Sequence, residues 1–490
     1  MSSKKDKNKM VRLEFVGNNA TSVTGSCIHI SVFDKDLNRE VQGLLEIGMT
    51  QGDTILNNYK INDTLLGKFD AKNLDFVIIN HFHADHALLL SGLIHRSFRG
   101  KIYLTKESAA VAPIMLADGL HINEIETKWL KDKKGIKAKP FYTSADIATT
   151  MNLIEMVEPN SVIDITPNIQ LKFLESRHII GSVTTQLFFK DYASHIHKLF
   201  YTSDLGNVSG GEKYFVYDTQ EAPTTSTVSI YESTYGSKKK EFVNNKTRKK
   251  ELEILKNTLR HTLLEKKGSC LLPCFSLDRT PNLLKNLKMI MDEDEELRNI
   301  RVIVDGKLTN ELLDVYWKTC SGQNKLDINE IIEWKNLKRI REYKETLYYL
   351  DIKEPTIIIS SAGFMSNGHV LLYARELLPS KKNTLIFTGY SPQNSLSYKL
   401  KTKDETGQKT AKIDKFTVLL NAEVISLDSF SSHIQYPDLV KYILKTKSES
   451  IVLVHGENKE DLKEELEQKL SEKGLSTKVI LPKKNQILYF

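Results

Sequence analysis

The chain has 490 residues, 40% of them hydrophobic and 27% charged. Such a length exceeds one ordinary core, so two or more domains are expected, and the composition is that of a soluble globular protein rather than a disordered or fibrous one. The net charge of +7 is a mild excess, compatible with an acidic partner without identifying one. Cys27, Cys270, Cys274 and Cys320 form no Cys-x-x-Cys pair and lie mostly among apolar residues, reading as reduced core thiols of a cytoplasmic protein. No apolar run reaches membrane-spanning length and no signal-peptide pattern follows the opening lysines, so no membrane partner is expected.

In chain order, residues 1–10 read as a basic, disordered tail. The first half then alternates short strands with Gly, Asn and Asp turns. Strands are predicted at 12–16, 26–33, 76–79, 101–104, 170–174, 185–189, 199–202 and 228–231, and helices at 87–95, 106–117 and 145–157. A long amphipathic helix at 246–267 marks a change of character. Strand–helix units follow: strand 269–275, helix 279–292, strand 301–305, helix 308–319, strand 356–361, helix 370–378. Repeats of that kind imply a parallel sheet with helices packed on it. The remainder is mixed, with elements at 384–388, 436–445, 451–454, 459–473 and 477–481. Its last helix carries Leu462, Leu466 and Leu470 on one face.

Chemistry concentrates in His81-Phe82-His83-Ala84-Asp85-His86, directly after the apolar run Phe76-Val77-Ile78-Ile79-Asn80. Four metal-ligating side chains occupy six residues at the end of a buried strand. Spacing of one puts His81 and His83 on the same side of an extended segment, able to grip one ion, while Asp85 and His86 point elsewhere toward a second. Two ions about 3.5–4 Å apart hold a bridging hydroxide and clamp an in-line displacement at phosphorus. His178, Asp204 and His455 each stand just past a predicted strand, and His433 stands just before a helix. Singly, each reads as a satisfied polar residue or cap; the set is a stronger candidate to complete the metal site than its members.

Further segments fall in one order around these: Val23-Thr24-Gly25-Ser26-Cys27, Leu44-Leu45-Glu46-Ile47-Gly48, Thr202-Ser203-Asp204-Leu205-Gly206, Glu232-Ser233-Thr234-Tyr235-Gly236, Pro273-Cys274-Phe275-Ser276-Leu277-Asp278-Arg279, Ser360-Ser361-Ala362-Gly363-Phe364-Met365, Phe387-Thr388-Gly389-Tyr390, Phe430-Ser431-Ser432-His433 and Val454-His455-Gly456-Glu457. The chain thereby resembles the β-CASP group of metallo-β-lactamase-fold nucleases. The resemblance implies an α/β fold: a metallo-β-lactamase αββα sandwich built from 11–236 and 391–490, interrupted by an α/β β-CASP insert at 237–390 with a parallel sheet flanked by helices. It implies two zinc ions, with manganese also suited to the ligands. One is held by His81, His83 and His178, the other by Asp85, His86 and His455, and Asp204 bridges both. A hydroxide between the ions would attack the scissile phosphate in a cleft between the two domains. Catalytic roles fall to Asp85, to His433 as proton donor to the leaving oxygen, and to Glu232, which orients that imidazole. Arg279, Ser276, Ser360, Ser361 and Lys399 would contact RNA phosphates.

A histidine at 455 is similar to RNA-processing members, and the chain ends without the extra domain of the family's exonucleases. The implied protein is a cytoplasmic, zinc-dependent ribonuclease, endonucleolytic on single-stranded RNA, with a homodimer left open. Alternatives are a catalytically weak RNA-binding subunit and a hydrolase of another ester. Four departures stand against the family pattern. Glu46 replaces an aspartate that supports the site. Gln435 replaces an aspartate expected to hold the His433 ring. Asp278 replaces a glycine before Arg279. Asn394-Ser395-Leu396-Ser397-Tyr398 replaces a glycine- and arginine-containing turn, leaving Lys399 or Lys401 to restore the charge.

Overall fold

The computed structural model describes residues 11–190, 195–207, 221–238, 244–351, 353–389 and 391–490. The tail expected at 1–10 lies outside them, as does Tyr390. The chain divides into two compact units, one containing the N-terminal region and Ser432–Phe490, the other containing Val243–Ser431.

Two seven-stranded sheets build the first unit. One runs Ile487–Tyr489, Val11–Glu14, Ile28–Asp34, Arg39–Leu45, Phe76–Ile78, Lys101–Leu104, Ile154–Met156. The other runs Lys478–Ile480, Lys447–Val454, Thr225–Glu232, Ile196–Tyr201, Val183–Lys190, Ile169–Glu175, Val162–Thr166. Alternation along the strands sends Leu13, Ile30, Val32 and Phe76 of one sheet against Leu171, Leu187, Leu199, Ile230 and Val452 of the other, all fully or nearly fully buried. The second sheet is apolar on both faces. Phe200, Tyr231, Ile451 and Leu453 point away from the sandwich core, against helices Tyr436–Ile443 and Glu460–Glu472. This is why 451–454 reads as an unbroken apolar run, with Leu462, Leu466 and Leu470 covering it.

Among the described residues the second unit is built on a six-stranded sheet, parallel throughout, in the order Leu337–Ile340, Arg301–Asp305, Thr356–Ser360, Cys270–Pro273, Thr384–Phe387, Glu423–Ser426, with a two-stranded hairpin at Thr410–Ile413 and Phe416–Leu419. Its compact unit reaches Ser431, past the boundary expected at 390, because Glu423–Ser426 adds a strand alongside Thr384–Phe387.

Several elements differ from expectation for identifiable reasons. The helix predicted at 87–95 is two pieces, Ala84–Ala87 and Leu90–His95, so Asp85 and His86 ride on a helical turn rather than a loop. The helix predicted at 106–117 continues to Lys134, since Leu116, Leu120, Thr127 and Leu130 prolong its buried stripe to the left-handed cap at Gly135. The helix predicted at 145–157 stops at Leu153, and Ile154–Met156 becomes an edge strand parallel to Lys101–Leu104. Among the described residues no helix is long and apolar enough to cross a membrane.

Candidate metal centre

Strand direction assembles the centre. Ile196–Tyr201, Thr225–Glu232 and Lys447–Val454 are adjacent and parallel, so the residues after them, Asp204, Glu232 at the strand's last position, and His455, emerge side by side. Across the sandwich, Arg39–Leu45 and Phe76–Ile78 are also parallel neighbours, delivering Glu46 and His81 together. Loops then close on one another at two glycines. A Cβ on Gly206 would lie 1.9 Å from the Arg177 carbonyl oxygen, and one on Gly48 would lie 1.7 Å from that of Asp85. Only a residue without a side chain lets the Asp204 loop lie against the His178 loop.

The residues meet in two groups. His81 Nε2 is 3.0 Å from His83 Nδ1, which is 3.3 Å from His178 Nε2. Asp204 Oδ2 lies 3.7 Å from His81 Nε2 and 3.5 Å from His178 Nε2. On the other side, Asp85 Oδ2 lies 3.6 Å from His86 Nε2 and 3.5 Å from His455 Nε2. Asp204 joins this group too, with Oδ2 3.3 Å from His86 Nε2 and Oδ1 3.4 Å from His455 Nδ1. Tetrahedral zinc with arms of about 2.1 Å places neighbouring ligand atoms about 3.4 Å apart, the spacing seen here. His86 Nε2, His455 Nε2 and Asp204 Oδ1 are buried and make no well-aligned hydrogen bond, which leaves them available to a cation.

Protonation states agree. Burial lowers the pKa of His83 to about 4 and holds His81 and His178 well below the ordinary imidazole value, leaving lone pairs available. Burial opposes ionisation of Asp204, yet His455, His86 and His433 outweigh it and hold the carboxyl well below its usual range. For His86, burial favours the neutral ring, but Asp204, Glu46 and Asp85 raise its pKa; a bound cation would take the place of that proton. The donor set therefore fits a pair of divalent ions.

Sequence reasoning missed most of the scaffold behind these ligands. Glu46 is fully buried, with Oε2 2.8 Å from His86 Nδ1 while accepting the Tyr201 hydroxyl at 2.5 Å, and with Oε1 accepting the Ser203 hydroxyl at 2.5 Å. Thr234 Oγ1 meets His455 Nδ1 at 3.1 Å, and Ser182 Oγ accepts the backbone N–H of His178. Glu46, Ser203 and His455 have positive φ of 64, 49 and 53°, a left-handed geometry that costs a non-glycine residue about 1 kcal/mol or more. The longer side chain at 46 thus reaches His86, Tyr201 and Ser203. Glu46→Gln should lower zinc affinity about 10–100-fold, read by competition against a chromophoric chelator, with little change in melting temperature of the metal-free protein.

His433 stands beside the two groups, its Nε2 3.9 Å from Asp204 Oδ2. Its Nδ1 lies 3.3 Å from both carboxylate oxygens of Glu232. Burial lowers the His433 pKa, but Glu232 and then Asp204 reverse this and raise it to about 9. Glu232 is pinned in turn, accepting the Leu205 N–H at 2.6 Å. Gln435 Nε2 donates to the His433 carbonyl at 3.1 Å, and the ring's Nδ1 faces Glu232.

The residues expected to touch phosphates lie in the second unit. Ser276 and Ser360 are buried; Ser276 accepts the Thr309 hydroxyl and Ser360 donates to the Asp305 carbonyl. Arg279 begins helix Arg279–Asp292 and donates to the Thr388 carbonyl, lining a shallow hollow with Phe275, Gly363 and Gly389. Ser361 is half-buried and Lys399 is exposed. Asp278 is buried and accepts from Asn282. Lys401 reaches the Gly389 carbonyl, and Ser395 caps helix Leu396–Lys401.

Two domain families match the sequence: the β-CASP domain over residues 280–400, and the Zn-dependent metallo-hydrolase RNA specificity domain over 417–482. The chain carries a β-CASP domain. Among the relatives, the transcription termination factor FttA of Methanocaldococcus jannaschii is 26% identical over 91% of this chain and 67% of its own length. The RNase J-like protein of the same organism is 29% identical over 85% of this chain and 90% of its own. Endoribonuclease YSH1 of Candida albicans is 25% identical over 80% of this chain, which spans only 44% of that protein. A protein of unknown function from Enterococcus faecalis V583 shares the fold with a TM-score of 0.55 at 14% identity, covering 98% of this chain and 100% of that one.

Proposed function

We propose that this β-CASP protein is a zinc-dependent endoribonuclease acting on single-stranded RNA. The observation that carries the reading is the buried meeting of His81, His83, Asp85, His86, His178, Asp204 and His455, with His433 and Glu232 beside them. The names of the relatives, an RNase J-like protein and an endoribonuclease, and of the matched RNA specificity domain support RNA as substrate. One ion would be held by His81, His83 and His178, the other by Asp85, His86 and His455, with Asp204 shared. Bound there, the ions supply an activated water and neutralise charge developing at phosphorus. The chain's own residues do the rest. Asp204 and Asp85 are held ionised by their histidines, ready to bind cations. Glu232 fixes Nδ1 of His433 and leaves Nε2 facing the centre, where its proton can pass to the leaving oxygen. A reducing, cytoplasmic setting suits the four buried thiols, which burial makes hard to ionise at Cys27, Cys270 and Cys274.

A circular single-stranded RNA tests the reading, because it offers no end to an exonuclease. Purified chain with zinc or manganese should linearise the circle, and a chelator should stop it until metal is returned. An intact circle in the presence of metal-loaded protein, or cutting indifferent to the chelator, contradicts the proposal.

A further inference from the structure

The helix Lys106–Lys134 begins at the metal centre and ends far from it. The Thr105 and Ser108 hydroxyls both donate to the Gly181 carbonyl, three residues beyond His178. From there 29 residues carry the chain about 40 Å along the helix axis. At the far end stand Lys128, Lys131, Lys133, Lys134, Lys137 and Lys139, all exposed, against a single acid, Asp132, in the same stretch. Among the described residues none of these lysines has an ion-pair partner within 4 Å. Trp129, 38% exposed, lies among them with Lys134 Nζ 5.9 Å from its ring centroid, and Ile125, 57% exposed, continues the apolar strip one turn back. The lysines beyond the helix are held in place. Gly135 turns the chain in a left-handed cap, Tyr59 bonds both the N–H and the carbonyl of Lys139, and the Phe141 N–H bonds Asn123 back on the helix.

Lysines near a helix C-terminus also answer the helix dipole, but that effect is confined to the last turn. It accounts neither for Lys137 and Lys139 nor for an exposed tryptophan among them. A row of cations around a flat aromatic face is what a single-stranded polynucleotide requires: charges for successive phosphates and a ring for a base to stack on. We infer that the distal end of helix Lys106–Lys134, with the returning segment through Lys139, is an RNA-binding exosite that holds the substrate strand at a distance from the metal centre. This rests on the RNA reading above.

Binding is measured on the full chain with chelator present, so that cleavage plays no part, using a labelled single strand of about 30 nucleotides and one of about 6. Lys131→Ala/Lys133→Ala/Lys134→Ala/Lys137→Ala should weaken the long strand roughly 10–100-fold near ~0.1 M salt and reduce the salt slope by about 3. The short strand should bind and, with zinc restored, be cut as by wild type. Trp129→Ala should cost about tenfold through lost stacking, and Trp129→Phe should abolish the RNA-induced quenching of tryptophan fluorescence without loosening binding to that extent. Charge-preserving lysine-to-arginine changes should restore affinity. A quadruple variant that binds the long strand as wild type overturns the exosite while leaving the nuclease reading intact. Wild type that neither binds nor cuts RNA overturns both. Lost binding to anionic lipid vesicles, with RNA affinity unchanged, assigns the surface to membranes and overturns the proposal.

Discussion

Asp204→Asn is expected to lower RNA cleavage by about 10⁴-fold or more, because groups that act as one unit fail together when one is removed. Asp204 is the carboxylate common to both ligand groups, lying within 3.7 Å of His81, His86, His178 and His455. The asparagine is nearly isosteric, so the fold should persist, but the amide carries no charge to balance two cations. Native mass spectrometry should find less zinc per chain than in wild type, and RNA affinity in chelator should be unchanged. Wild-type zinc content with wild-type cutting would remove Asp204 from the site.

His433→Ala is expected to lower kcat about 10²–10⁴-fold, the usual contribution of a positioned proton donor, with KM near wild type. Its pH profile carries the sharper test. The ring acts as donor only when protonated, so cleavage should hold below its pKa and fall as pH rises through it. In the structure Glu232 and Asp204 raise that pKa to about 9 against burial, which lowers it. Once Asp204 is engaged by metal, Glu232 is the main charge keeping the proton in place. Glu232→Gln should therefore move the alkaline limb to lower pH, by about one pH unit or more. A limb unmoved in Glu232→Gln would mean that another group titrates there.

The candidate metal site was legible where chemistry is written locally. His81, His83, Asp85 and His86 lie within six residues after an apolar run, and His178, Asp204 and His455 each follow a strand whose apolar pattern is plain. What the sequence could not show depends on pairing between distant segments. Nothing near Tyr201 or Ser203 signals that their hydroxyls serve Glu46, 155 and 157 residues away. Glu232, expected beside the His433 ring, lies 3.3 Å from its Nδ1, whereas the Gln435 side chain goes to the His433 carbonyl, a partner no local pattern announces. Ile154–Met156 carries too little pattern in three residues to announce a strand; its pairing with Lys101–Leu104 creates it. Likewise Ile487–Tyr489 becomes a strand only because Val11–Glu14 lies beside it. Nor does any local pattern announce that the buried hydroxyls of Ser276 and Ser360 meet Thr309 and the Asp305 carbonyl.

Anomalous scattering at the zinc edge from crystals of zinc-soaked protein reads the metal positions directly. Two peaks are expected, one among His81, His83 and His178 and one among Asp85, His86 and His455, with Asp204 adjoining both. No anomalous density beside Asp204 in zinc-replete crystals would contradict the paired-metal centre on which the proposed cleavage depends.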